Sequence, residues 1–281
     1  MHDCMFRRQR TGSVVCPSCG NLVGVNDDRC FTCGRWNPGL WGFTPVLRRL
    51  GADFGFAETV TAVCVMLFVV MLAVSGSNVR MSGMNFLSPD PMTMFTFGAS
   101  GALPVFRYGR WWTVLSAGWL HGGLLHILFN MLWVRQLGPA AVELFGTGRT
   151  IIIYTAGGAV GFIASSVAFM FLGGIPILGG GVLTLGASAP IFALLGAMVH
   201  YGRQASSVVK SQAAGYAATL FLFGLLMPGV DNWAHGGGFL GGYFASFLLN
   251  PQRRETGNHL IVAFGCLLAT AASIAASLIL R

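Results

Sequence analysis

Apolar residues fall in long runs from about residue 59 to the C-terminus, whereas the first 45 residues are polar and broken by glycine and proline. Runs of about twenty residues bounded by charge or glycine have the length a helix needs to cross the roughly 30 Å hydrocarbon core. The pattern predicts spans at 59–76, 122–138, 150–172, 188–202, 211–227, 233–249 and 259–280, the second and fourth interrupted by glycine and polar residues. Between the first two lies a loop of about forty residues containing Arg110-Trp111-Trp112. Such an apolar loop is expected to lie partly in the interface, its tryptophans at headgroup level, where it can wall a site.

Composition sets the class. With 54% hydrophobic residues and only 9% charged, the chain lies outside the range of soluble domains and reads as an all-α polytopic membrane protein. The net charge of +8 is spread along the flanks of apolar segments with no basic stripe, so nucleic acid is not an expected partner. The first long run starts near Val60, and no cleavable leader is expected.

The organisation read from these shifts is a module at 1–45, a linker at 46–58 with Arg48 and Arg49, a membrane core at 59–250, and a C-terminal loop and seventh span at 251–281. The module carries Cys16-Pro17-Ser18-Cys19 and Cys30-Phe31-Thr32-Cys33, with Gly20 and Gly34 just behind. Two such knuckles suit one tetrahedral zinc ion held by Cys16, Cys19, Cys30 and Cys33, which would supply most of the folding free energy of so small a module. The alternative, two disulfides, requires an oxidising compartment. A role in binding a cytosolic partner or substrate tail and a role in stabilising the N-terminus both stay open. Cys4 has no matching partner, and Cys64 and Cys266 lie in apolar runs as packing residues.

Lys and Arg set the orientation. With the N-terminus inside, 13 of the 17 are internal and only Arg80, Arg107, Arg110 and Arg281 external, so the positive-inside rule places the N-terminus in the cytosol. The expected location is a multi-pass protein of a bacterial cell membrane.

Three polar clusters interrupt the spans. The first, Leu185-Gly186-Ala187-Ser188-Ala189-Pro190, follows Gly173-Gly174 and Gly179-Gly180-Gly181, and Pro190 suits the first turn of a helix. From Ser188 to Arg203 the helix covers about 22 Å, less than the core, so the serine lies below the external face, where polar groups require a pocket lined by protein or water. The second cluster, His121 to Asn130, places His126 and Asn130 four apart on one face. Either can be interhelical hydrogen-bonding glue, but polar side chains inside a span usually mark function. In the third, His235, Gly238 and Gly242 form a stripe with the histidine at the same depth as Ser188, and the glycines allow a close helix contact.

A serine and a histidine so placed can form an activated nucleophile. No aspartate or glutamate within the spans completes a triad, and Asp231 suits a helix cap. A Ser188–His235 dyad follows, with His126, Asn130 and the Ser188 backbone N–H available for an oxyanion, and it needs no cofactor.

The order and spacing, His-x4-His-x3-Asn, Gly-x-Ser and Ala-His-x2-Gly-x3-Gly in the second, fourth and sixth spans, resemble the rhomboid family of intramembrane serine proteases over roughly residues 55 to 250. The resemblance implies a six-span core with an externally open, water-accessible cavity, sometimes with a seventh span. It implies a catalytic dyad of Ser188 and His235, oxyanion residues His126 and Asn130, and His121 at the cavity beside Gly186 and Phe192. Its implied partners are the lipid bilayer and single-span membrane proteins, cut near the outer face at small residues. This chain departs from the family pattern at Ala189 (commonly glycine), at Phe192 (often tyrosine) and in the order Arg110-Trp111-Trp112-Thr113. Two other classes are weighed against it: an inactive relative that binds membrane clients, and a metal or haem protein using His121, His126 and His235. The latter lacks His-Glu-x-x-His and any in-membrane carboxylate.

Overall fold

A computed structural model describes the chain except residues 1–7, 17, 18, 20, 45–54, 82, 84, 85, 174, 176–178, 254 and 281. Cys4, Gly20 and the linker pair Arg48-Arg49 thus lie outside the described residues. Contacts divide the chain into two compact units, Met1–Thr59 and Val60–Arg281.

In the first unit, β1 (Ser13–Val15) and β2 (Leu22–Gly24) form an antiparallel hairpin with Val14 opposite Val23. Alternation turns Val14 and Val23 inward, where they join Cys16, Val25 and Cys30 in a small buried cluster.

The second unit is helical. The long helices are α1 (Phe56–Ser75), whose first four residues fall in the first unit, α2 (Leu124–Phe145), α3 (Thr147–Leu172), α4 (Ser188–Ala205), α5 (Ser207–Leu226), α6 (Asn232–Leu249) and α7 (Gly257–Ile279). They coincide with the seven predicted spans, although α2 runs on to Phe145, through Pro139. Four of them, α1, α3, α5 and α7, are long and apolar enough to cross a membrane by length and composition alone. The site-bearing helices α2, α4 and α6 fall outside that set, as expected of helices that surround a polar site and need less apolar surface.

Local chemistry sets the helix ends. Gly146, at φ +84 and ψ 160, separates α2 from α3, since this extended positive-φ conformation, open to glycine, stops one helix and re-aims the next. Ser206 caps α5, accepting from the Val209 N–H at 3.4 Å. Asp231 caps α6, accepting from the Ala234 N–H at 3.0 Å, the role expected of it. Thr256 and His259 form a capping box on α7.

Helix α4 lies at the centre, buried along most of its length, and its most extensive partner is α6. Small residues set the spacing. A Cβ on Gly238 would run into the carbonyl of Ala189, and one on Gly242 into that of Ala193, so only glycine lets the backbones approach this closely. The stripe expected from the sequence is therefore the α4–α6 contact. Helix α3 closes the group through Gly157, which faces Ala193, and Gly161, which faces Ala189 and Ala234.

The α1–α2 loop contains the short helices Pro91–Phe97 and Thr113–Ser116. Trp111 is exposed, but Trp119 is buried edge-on to Tyr154 and Trp112 is bonded to α7.

Candidate active site

The N-terminal ends of α2, α4 and α6 converge at one end of the bundle. Ser188 is the first residue of α4 and half-buried, with Pro190 in the first turn as expected. The first helical bond there runs from the Ile191 N–H to the Ala187 carbonyl at 2.9 Å. The N–H groups of Ser188 and Ala189 therefore precede the helical ladder, where donors have no intrahelical partner.

The segment before the serine is held from both sides. The Gly186 N–H donates to the Ala117 carbonyl at 2.9 Å, and the Ala187 N–H to His121 Nε2 at 3.4 Å. Gly186 adopts φ +129, and a Cβ there would sit 2.5 Å from His126 Nε2. Both the conformation and the contact demand glycine. His126 accepts the Gly122 N–H on Nδ1 at 3.3 Å, so the neutral ring carries its proton on Nε2, beside Gly186. The His121 and His126 rings meet edge-on, 5.2 Å apart.

On the other flank, His235 is buried in the first turn of α6 and stacks on Phe192, with ring centroids 4.3 Å apart and planes at 15°. Phe192 is one turn after Ser188 on the same face of α4, and helical side chains lean toward the N-terminus. Stacking on Phe192 therefore holds the imidazole on the serine's face of α4. The close approach of Ala189 to Gly238 fixes the backbones at the same level.

Two features were not anticipated. The Asn232 Oδ1 lies 3.2 Å from His235 Nδ1. With the amide oxygen accepting, the Nδ1 proton is held and Nε2 keeps its lone pair. The sequence signal was an amide three residues before the histidine, one helical turn away. Asn130 is buried on the His126 face, but its side-chain amide donates to the carbonyl of His126 at 2.8 Å. That leaves one of its two N–H groups for other partners. No hydrogen bond joins the Ser188 hydroxyl to His235 among the described residues.

The four cysteines of the first unit also come together. The Sγ atoms of Cys16, Cys19, Cys30 and Cys33 all lie within 4.8 Å of one another, with Cys16 to Cys33 at 3.8 Å and Cys19 to Cys30 at 3.5 Å. A disulfide needs about 2.05 Å. A tetrahedron of Zn–S bonds of about 2.3 Å gives S···S distances of about 3.8 Å, so the donor set fits one zinc ion. The Cys33 N–H, against some opposition from burial and with help from the Thr32 N–H, lowers the Cys30 thiol to about 6. Against the Asn21 N–H, which lowers it, burial and the neighbouring thiols push Cys19 up to about 12, so the fit to a metal rests on the sulfur geometry.

The Rhomboid domain matches residues 108–252, or 145 of the 281. The chain is 30% identical over 181 residues to Rhomboid protease GluP of Bacillus subtilis (strain 168), covering 63% of this chain and 33% of that protein. It is 32% identical over 168 residues to RHOMBOID-like protein 4 of Arabidopsis thaliana, covering 58% and 40% respectively. It is 28% identical over 227 residues to Rhomboid-like protease 5 of Toxoplasma gondii, covering 76% of this chain and 24% of that one. These matches span only a quarter to two-fifths of the relatives' own lengths. The matched region holds the loop end, α2 to α6 and every residue of the site described above, and the chain belongs to the rhomboid family.

Proposed function

We propose that this protein is an intramembrane serine endopeptidase that cleaves single-span membrane proteins through Ser188 and His235. The observation that carries the proposal is the stacking of His235 on Phe192, one turn from Ser188, on helices locked together by Gly238 and Gly242. The rhomboid relationship supports the reaction class, and the similarity to a rhomboid protease supports hydrolysis.

In the proposed reaction, Ser188 Oγ attacks the scissile carbonyl while His235 Nε2 takes its proton. Asn232 holds the opposite ring nitrogen in the N–H form. The C=O π bond breaks, and the oxyanion is met by the Ser188 N–H, by His126 Nε2–H and by the second N–H of Asn130. Collapse expels the amine, which leaves with the proton from His235. A water then repeats the sequence on the acyl-enzyme, releasing the acid and restoring Ser188.

The charge asymmetry supports a cytosolic N-terminus and a site toward the external face of a bacterial cell membrane. The Cys16–Cys19–Cys30–Cys33 cluster is assigned to structural zinc, outside the chemistry. A client-binding role without cleavage is favoured by one observation, the missing hydrogen bond between Ser188 and His235. Such bonds are often loose without substrate, and the reaction of Ser188 with a fluorophosphonate separates the two roles. A protease labels, and its Ser188→Ala variant does not; a folded wild type that neither labels nor cleaves is a binder.

A further inference from the structure

Arg110 belongs to the α1–α2 loop but is only 4% exposed, and its guanidinium reaches the end of α7. Nη2 donates to the Ser277 carbonyl at 2.7 Å and Nη1 to the Phe95 carbonyl at 2.9 Å, with the guanidinium carbon 4.4 Å from the Phe95 ring centroid. Ser277 lies in the last turn of α7, where carbonyls lack helical partners and the dipole favours a cation. Trp112 adds two bonds: its Nε1 donates to Ser277 Oγ at 3.0 Å, and its carbonyl accepts from Ser273 Oγ at 2.7 Å. The two serines are buried one turn apart on a helix whose outward face carries Ile261, Phe264 and Leu268.

The loop fixed in this way carries the segment that leads to Ser188. Thr113 Oγ1 donates to the Arg110 carbonyl at 2.8 Å and also lies 3.3 Å from Ser100 Oγ. The backbones of Ser100 and Thr184 exchange both bonds, at 2.9 and 2.7 Å. The Ala102 N–H donates to the Gly181 carbonyl at 3.0 Å and the Leu103 N–H to that of Val182 at 3.1 Å. Polar contacts thus run without a break from the tip of α7 to the strand-like stretch just before Gly186.

We propose that the C-terminal turn of α7 is a clamp on the α1–α2 loop, and that Arg110, Ser273 and Ser277 are positioning residues for the segment 181–187 and hence for Ser188. Deletion of these contacts frees the loop without touching the packing of α3, α4 and α6. The clamp itself stands on geometry; its effect on catalysis rests on the protease reading above.

The test uses the full chain in lipid nanodiscs, following amide hydrogen exchange together with the rate of fluorophosphonate labelling. In a Ser273→Ala/Ser277→Ala double variant, and more strongly in Arg110→Met, the amides of Ser100, Ala102, Leu103 and Thr184 exchange at least tenfold faster. Amides within α3, α4 and α6 stay as protected as in the wild type, a contrast that general destabilisation would not give. Labelling slows about tenfold, and Leu268→Ala on the outward face of α7 changes nothing. Unchanged exchange at those four amides in the serine double variant overturns the clamp, whatever happens to Arg110→Met. A wild type that never labels while its double variant shows the local exchange change supports the clamp and removes the protease reading instead.

Discussion

Phe192 and His235 lie face to face, 4.3 Å apart, and this contact joins the fourth and sixth long helices at the level of Ser188. A ring pair of this kind contributes about 0.5–1.5 kcal/mol beyond its buried area. Phe192→Leu keeps an apolar side chain but lets the imidazole turn, and should lower kcat/KM by about 2- to 12-fold. Phe192→Tyr keeps the ring and should stay within a factor of about 3. Cleavage of a reconstituted single-span substrate measures both.

Asn232 is expected to hold the tautomer of His235. Asn232→Ala should lower kcat about fivefold with KM little changed, because one hydrogen bond of about 1 kcal/mol is lost at the general base and none at the substrate. Asn232→Asp retains an acceptor oxygen and should recover most of the rate. Equal losses in the two variants would contradict a tautomer-holding role for Asn232.

Much of this arrangement was legible in the sequence, and the remainder was hidden for identifiable reasons. Span lengths, the Ser188 junction, the Asp231 cap and the Gly238–Gly242 stripe all follow from pattern along one contiguous stretch of chain. Gly157 and Gly161 carried an unused small-xxx-small signal in the third span. Asn232 was not singled out, because it follows the Asp231 cap and nothing in its local pattern marks a partner for His235. The pairing of Arg110 with Ser277 joins residues 167 apart in the chain, and no periodicity reports that. The order Arg110-Trp111-Trp112 is explained by it, because both Arg110 and Trp112 turn to α7 while Trp111 faces outward.

Gly186 tests the serine segment. Gly186→Ala forces a Cβ against His126 Nε2 at a φ that favours glycine. Activity should fall by about 10² or more, the scale of a lost oxyanion donor, while the thermal transition of the helical unit shifts little. An alanine variant with normal turnover would show that the His126 side chain can move away without consequence.

The cysteine cluster predicts one zinc per chain by elemental analysis, lost on replacement of Cys16 and Cys19 by serine. His121→Ala, His126→Ala or His235→Ala should leave the zinc content unchanged. Chelation should unfold the hairpin unit, because a zinc ion held there would supply most of its folding free energy, and leave the helical unit's circular dichroism in place. Zinc that depends on the histidines would instead support the metalloprotein alternative.

The most direct measurement is cleavage of a single-span substrate in liposomes by wild type, Ser188→Ala and His235→Ala, each checked for an unchanged thermal transition. The dyad predicts product from the wild type alone. Turnover at the wild-type rate by either folded variant would contradict it.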